Sequence, residues 1–107
     1  MKQPGKLFAI AVTLAFATAA HADWHTGKVT QLGISYDGST VSFIVAGWTR
    51  NNCTCNTAWP NNMCLNRSRT SFKEEVAFLY SARARGTAVG ANIDETTCTV
   101  VALYEVD

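Results

Sequence analysis

Four cysteines in so short a chain restrict its fold more than any other feature: Cys53, Cys55, Cys64 and Cys98 lie within 107 residues. Small exported domains bury too little apolar surface to hold together on packing alone, and disulfides commonly supply the rest. Four cysteines admit three pairings, and the count alone does not choose among them. Cys53 and Cys55 are separated by a single residue, so a bond between them would close a strained ring. Each is therefore expected to pair elsewhere, Cys98 with one of them and Cys64 with the other.

The opening segment agrees with oxidation outside the cytosol. Lys2 and Lys6 precede an apolar and small-residue run from Leu7 to Ala20, and Ala20-His21-Ala22 has the small-x-small form that signal peptidase cuts. Residues 1–22 are expected to be a signal peptide and residues 23–107 one disulfide-stapled domain, periplasmic or secreted. The apolar run falls short of the roughly 20 residues needed to cross a bilayer, so no membrane span is expected. Loss of Lys2 and Lys6 leaves acidic residues in slight excess over basic ones. Phosphate binding depends on many clustered cations, so nucleic acid is excluded as a partner. Arg67, Arg69, Arg83 and Arg85 flank a helix, an ordinary position for solvated arginines. The Cys-x-Cys pair, Cys64 and His25 could supply metal ligands, but their spacing matches no common zinc site. No metal and no cofactor is expected.

Along the chain, Gly27 to Tyr36 favours a strand, with Gly33 breaking the alternation as a bulge would. Asp37-Gly38 then signals a hairpin into a second strand, Thr40 to Trp48, with Val41, Phe43 and Val45 on one face. Thr49 to Asn62 is a polar loop pinned by disulfides, and a short third strand is expected around Met63 to Asn66, where Cys64 must come within bonding reach. Ser71 to Arg85 is a helix: Ser71 and Glu74 have the spacing of a capping box, Arg83 and Arg85 suit the C-terminal end, and Gly86 closes it. Phe72, Val76, Leu79, Tyr80 and Arg83 recur at helical spacing. Thr87 to Ile93 and Cys98 to Val106 are two further strands, joined by Asp94-Glu95-Thr96-Thr97, with Val100, Ala102, Tyr104 and Val106 alternating in the last. The result is mainly β with one helix, β-β-β-α-β-β. That order fits a small five-stranded OB-fold-like barrel; the alternative is an open α+β sheet with the helix across one face.

Four stretches carry a family resemblance: Trp24-His25-Thr26-Gly27-Lys28-Val29-Thr30-Gln31-Leu32, the strand ending Phe43-Ile44-Val45, the helix Phe72 to Gly86 with its Tyr80-x-Ala82-x-Ala84-x-Gly86 end, and the terminal cysteine-bearing strand. In this order they resemble the small exported OB-fold proteins related to the B subunits of subtilase-type and pertussis-type bacterial toxins. The resemblance implies a homo-oligomer, a ring of five, that binds sialylated glycans. It places Thr26 where a glycan-contacting serine would be expected. The stretch before Gly27 is shorter than in those toxins and lacks the acidic and polar residues that complete their sugar pocket.

Catalysis has few groups to work with. His25 is the only histidine after the leader, and the serines lack a nucleophile motif such as G-x-S-x-G. Glu74 and Glu75 are helix neighbours that point about 100° apart, which is no catalytic pair. No enzymatic activity and no catalytic residue is expected. Binding has better material: Trp59 stands in a polar loop with Asn61 and Asn62, and sugars are read by a flat ring against C–H groups with amides against hydroxyls. The expected ligand surface comprises Thr26, Asn51, Asn52, Trp59, Asn61 and Asn62, with a glycan as ligand. Trp24 and Trp48 are expected to flank the core. The alternative function is a protein–protein interaction or inhibitor module in the periplasm.

Overall fold

A computed structural model describes residues 22–106 of the chain. The expected leader falls outside them apart from Ala22, which opens the first strand. The elements are β1 (Ala22–Ile34), β2 (Thr40–Val45), β3 (Met63–Asn66), α1 (Phe72–Arg85), β4 (Ala88–Asp94) and β5 (Val100–Glu105). Every strand and the helix fall in the expected order, including the short third strand that Cys64 required. The strands form one open antiparallel sheet in the order β3-β2-β1-β4-β5. A single parallel bridge, Cys64 with Thr99, joins the two ends of that order, and the Cys64 N–H donates to the Cys98 carbonyl at 3.0 Å.

Strand β1 is longer than its sequence suggested because its two halves serve different neighbours. Ala22 to Lys28 pair with β4, and Val29 to Ile34 pair with β2. At the changeover the backbones of β1 and β2 approach so closely that a Cβ on Gly27 would overlap the Ala46 carbonyl. The register slips between Val29 and Gln31, which places the bulge at Thr30 and not at Gly33, the residue that broke the alternation. Thr30 instead offers its carbonyl to Arg83 of α1 at 3.4 Å, while Gly33 pairs in register with Ser42.

The core lies between the sheet and α1, built from Phe43, Val45, Met63, Leu65, Leu79, Ala82, Val89, Ala91, Ile93 and Val100, all fully buried or within a percent of it. Val41, Phe43 and Val45 share the inward face of β2 as their spacing required. Ser42, between them, is buried as well, because the cysteine loop covers the opposite face: Asn56 Nδ2 donates to Ser42 Oγ at 3.4 Å. On β5 the alternation breaks at Val101. There a register irregularity turns Val100 inward against Ile93 and sets Tyr104 outward, 46% exposed, over Gly90.

In α1, Leu79 and Ala82 are buried and Phe72, Val76 and Phe78 pack against the core, while Tyr80 faces out. Phe78 and Tyr80 lie about 100° to either side of Leu79, and it is the Phe78 side that the core covers. The capping box does not form. The Ser71 backbone is outside the extended region in which a cap side chain reaches the first free N–H groups, and its hydroxyl makes no cap bond. Arg69 takes over this end with two 2.7 Å bonds to the Glu75 carboxylate and bonds to the Val100 and Val101 carbonyls, tying α1 to β5. Gly86 closes the helix as expected, its N–H donating to Arg83.

Both disulfides obey the sequence argument: Cys53 bonds Cys98 and Cys55 bonds Cys64, leaving no free thiol. Among the described residues no helix is long and apolar enough to cross a membrane.

The Tyr104 ring lies where a side chain on residue 90 would project. Gly90→Ala is therefore expected to displace Tyr104 and its edge-on partner Trp24, 5.0 Å away between ring centres. The expected cost is about 1–3 kcal/mol, the usual range for overpacking, read as a lower urea midpoint at unchanged slope.

Candidate functional site

The cysteine loop cannot fold into a regular element, because its Asn, Thr and Pro residues favour turns and two of its positions are cross-linked. It resolves into consecutive turns that meet at Trp59. The Trp59 N–H donates to the Asn56 carbonyl at 3.0 Å, and the Trp59 carbonyl accepts from the Asn62 N–H at 3.1 Å. Asn56 Oδ1 also accepts from the Ala58 N–H, and the Cys53 N–H bonds the Pro60 carbonyl at 2.9 Å. Cys55–Cys64 closes this segment onto β3 and Cys53–Cys98 anchors it beside β5.

Trp59 is thus fixed by its backbone while its ring stays 39% exposed. The edge of the indole lies over Gly33, whose absent side chain leaves the β1 backbone bare beneath it; a Cβ there would touch the ring at 3.6 Å. Between ring and strand opens a cleft of about 430 Å³ lined by Gln31, Leu32, Gly33, Trp59, Asn61 and Asn62. A second cleft, about 400 Å³, is lined by Ser35, Tyr36, Asp37, Asn56, Ala58 and Trp59. Trp59 is the wall common to both. Neither the Trp59 indole N–H nor the side-chain amides of Gln31, Asn61 and Asn62 hydrogen-bond to another described residue.

The six residues expected to form one surface are distributed over three places. Trp59, Asn61 and Asn62 come together in the first cleft, Asn62 largely buried at its base. Asn51 and Asn52 are exposed at the start of the loop, where Asn52 Oδ1 accepts from Arg50 Nε at 3.0 Å. Thr26 is exposed on β1 in a shallow depression of about 380 Å³ with Trp24, His25, Ala46, Gly47 and Trp48. Sequence reasoning missed Gln31, Leu32 and Tyr36. Gly33 did stand out, as a break in a strand pattern, but for a bulge and not for a ring resting on it.

Trp24 does not flank the core. It is 45% exposed on the outer sheet face, while Trp48 does pack against the core as expected. Trp48 also sits under the Arg50 guanidinium, 5.8 Å from the ring centre, and beside His25. His25 Nε2 lies 2.7 Å from Glu95 Oε2, and Arg50 bonds the second Glu95 oxygen at 2.9 Å and the Glu95 carbonyl. This cluster pins the start of β1 and the cysteine loop to the turn between β4 and β5. Burial works to raise the Glu95 pKa, but the hydrogen bonds from His25 and Arg50 outweigh it and hold the carboxyl below its ordinary value. A carboxyl lowered in the folded state stabilises above its unfolded pKa, and the contribution disappears as pH falls through the folded value. The stability gap between the native chain and Glu95→Gln is expected to be complete above pH 4.5 and to close with further acidification, measured as urea midpoints across a pH series.

No family model matches the chain, and neither a curated protein nor a solved structure matches it.

Proposed function

We propose that this chain is an exported binding module that holds a saccharide in the Trp59 cleft without transforming it. The observation that carries the reading is Trp59 itself: a large ring fixed by turns on both sides, left open to solvent, and sharing its cleft with the side-chain amides of Gln31, Asn61 and Asn62, none bonded to another described residue. An aromatic face packs against the C–H faces of a sugar, and amides both donate to and accept from its hydroxyls. The cleft volume falls within the usual range for small-molecule sites, about 300–1,000 Å³. Export is supported by two disulfides, which persist outside the reducing cytosol. The bridge between Cys64 and Thr99 supports reading the sheet as an OB-like barrel pinched shut between β3 and β5.

A glycan array probed with the oxidised mature protein tests the reading. Saccharide binding that Trp59→Ala weakens at least about tenfold, the loss of roughly 1.4 kcal/mol of ring contact, is the expected result. An empty array, or binding indifferent to that substitution, removes the basis of the assignment.

A second reading, docking onto another exported protein or a further copy of this chain, draws on the outer sheet face. Trp24 and Tyr104 lie there edge to face, each nearly half exposed, with exposed Val101 on the same edge strand. Light scattering of the mature protein separates the two partners. Five copies would match the ring implied by the toxin resemblance, whereas a monomer would leave this face for a different chain.

A further inference from the structure

We infer that the two clefts sharing Trp59 as a wall are paired subsites for one uncharged oligosaccharide that contacts the indole, and that acidic sugars are excluded. This rests on the saccharide reading and specifies its ligand. The first cleft offers only amides, backbone and apolar surface, with no Lys, Arg or His among its lining residues. A sugar carboxylate placed there would lose its water without gaining a cation, which is costly. Arg83, the arginine that approaches this part of β1, is directed to the Thr30 carbonyl.

The second cleft carries one charge, and it is negative. Asp37 Oδ1 accepts from the Ser39 N–H at 3.0 Å, the Ser39 hydroxyl at 2.7 Å and the Ser35 hydroxyl at 3.0 Å. Those bonds, the Ser39 backbone bond foremost, hold its carboxyl below the ordinary range, so it is ionised at neutral pH. Its Oδ2 accepts from no described residue. A free carboxylate oxygen takes hydrogen bonds from sugar hydroxyls and repels another carboxylate. Tyr36 stands beside it fully exposed and offers a ring face to a second sugar. Asp37 and Tyr36 thus complement hydroxyl-rich, uncharged rings in the second cleft that Trp59 borders.

The test is an array carrying lacto-N-neotetraose, cellotetraose, chitotetraose and mannotetraose beside sialylated lacto-N-neotetraose, followed by calorimetry. Binding confined to neutral tetrasaccharides is expected. Affinity for the bound tetrasaccharide should fall about five- to tenfold in Tyr36→Ala and in Asp37→Asn, which keeps the Oδ1 acceptor of the hairpin, while affinity for its component monosaccharide changes less than twofold. Preference for the sialylated glycan overturns the inference and leaves the saccharide reading standing. Equal tetrasaccharide affinity in wild type and both variants overturns the paired subsites alone. An array with no bound saccharide removes the saccharide reading and this inference with it.

Discussion

Cys53→Ser combined with Cys98→Ser is expected to lower the unfolding free energy by about 4 kcal/mol, the value the chain-entropy relation gives for a bond spanning this much chain. The two cysteines are 45 residues apart in sequence, so the bond removes a large amount of freedom from the unfolded chain. Domains of this size have only about 5–15 kcal/mol of stability in total, and a loss on this scale takes a large fraction of it. The bond also joins the cysteine loop to the stretch where Cys98 and Thr99 meet β3, so its loss frees two elements at once. Urea unfolding at fixed pH reads the effect directly. A change under 1 kcal/mol would mean that packing alone holds the sheet.

Cys55→Ser combined with Cys64→Ser is expected to have the opposite balance, a smaller loss of stability and a larger loss of binding. These cysteines are only 9 residues apart, for which the same relation gives between about 2 and 3 kcal/mol. That short ring contains Trp59, Asn61 and Asn62. Without it the turns that fix Trp59 must be ordered by the ligand, at about 1–2 kcal/mol for each backbone residue restrained. Saccharide affinity should therefore fall by about a hundredfold or more in a protein that circular dichroism still shows to be folded. Retained affinity would show that the loop turns, and not the cross-link, position the indole.

Local chemistry made much of this fold readable. The Asp37-Gly38 hairpin, the helix with Gly86 at its end, and the avoidance of a Cys53–Cys55 bond all depend on neighbours in sequence, and each is present. The segment before Gly27 gave no strand signal because its partner, β4, lies at the other end of the chain. The Val101 irregularity was equally hidden, since only pairing with β4 shows which of two adjacent valines turns inward. The capping box had the right residues, but Arg69 and Glu75 fix the helix start by another route. At the site, an aromatic among amides was legible as Trp59, Asn61 and Asn62. Gln31 and Leu32 were not, because only the fold lays β1 beneath the cysteine loop.

The central claim is that Trp59 and the clefts beside it are where ligand binds, and amide-resolved NMR tests it most directly. Isotope-labelled mature protein would be titrated with each neutral tetrasaccharide, following the backbone amides, the side-chain amides and the indole N–H groups. Saturable shifts are expected at Gln31 to Gly33, Tyr36, Asp37, Asn61, Asn62 and the Trp59 indole, with Thr26 and Trp24 unmoved. Shifts centred on Trp24, Thr26 and Trp48, or none at any of these positions, would contradict it.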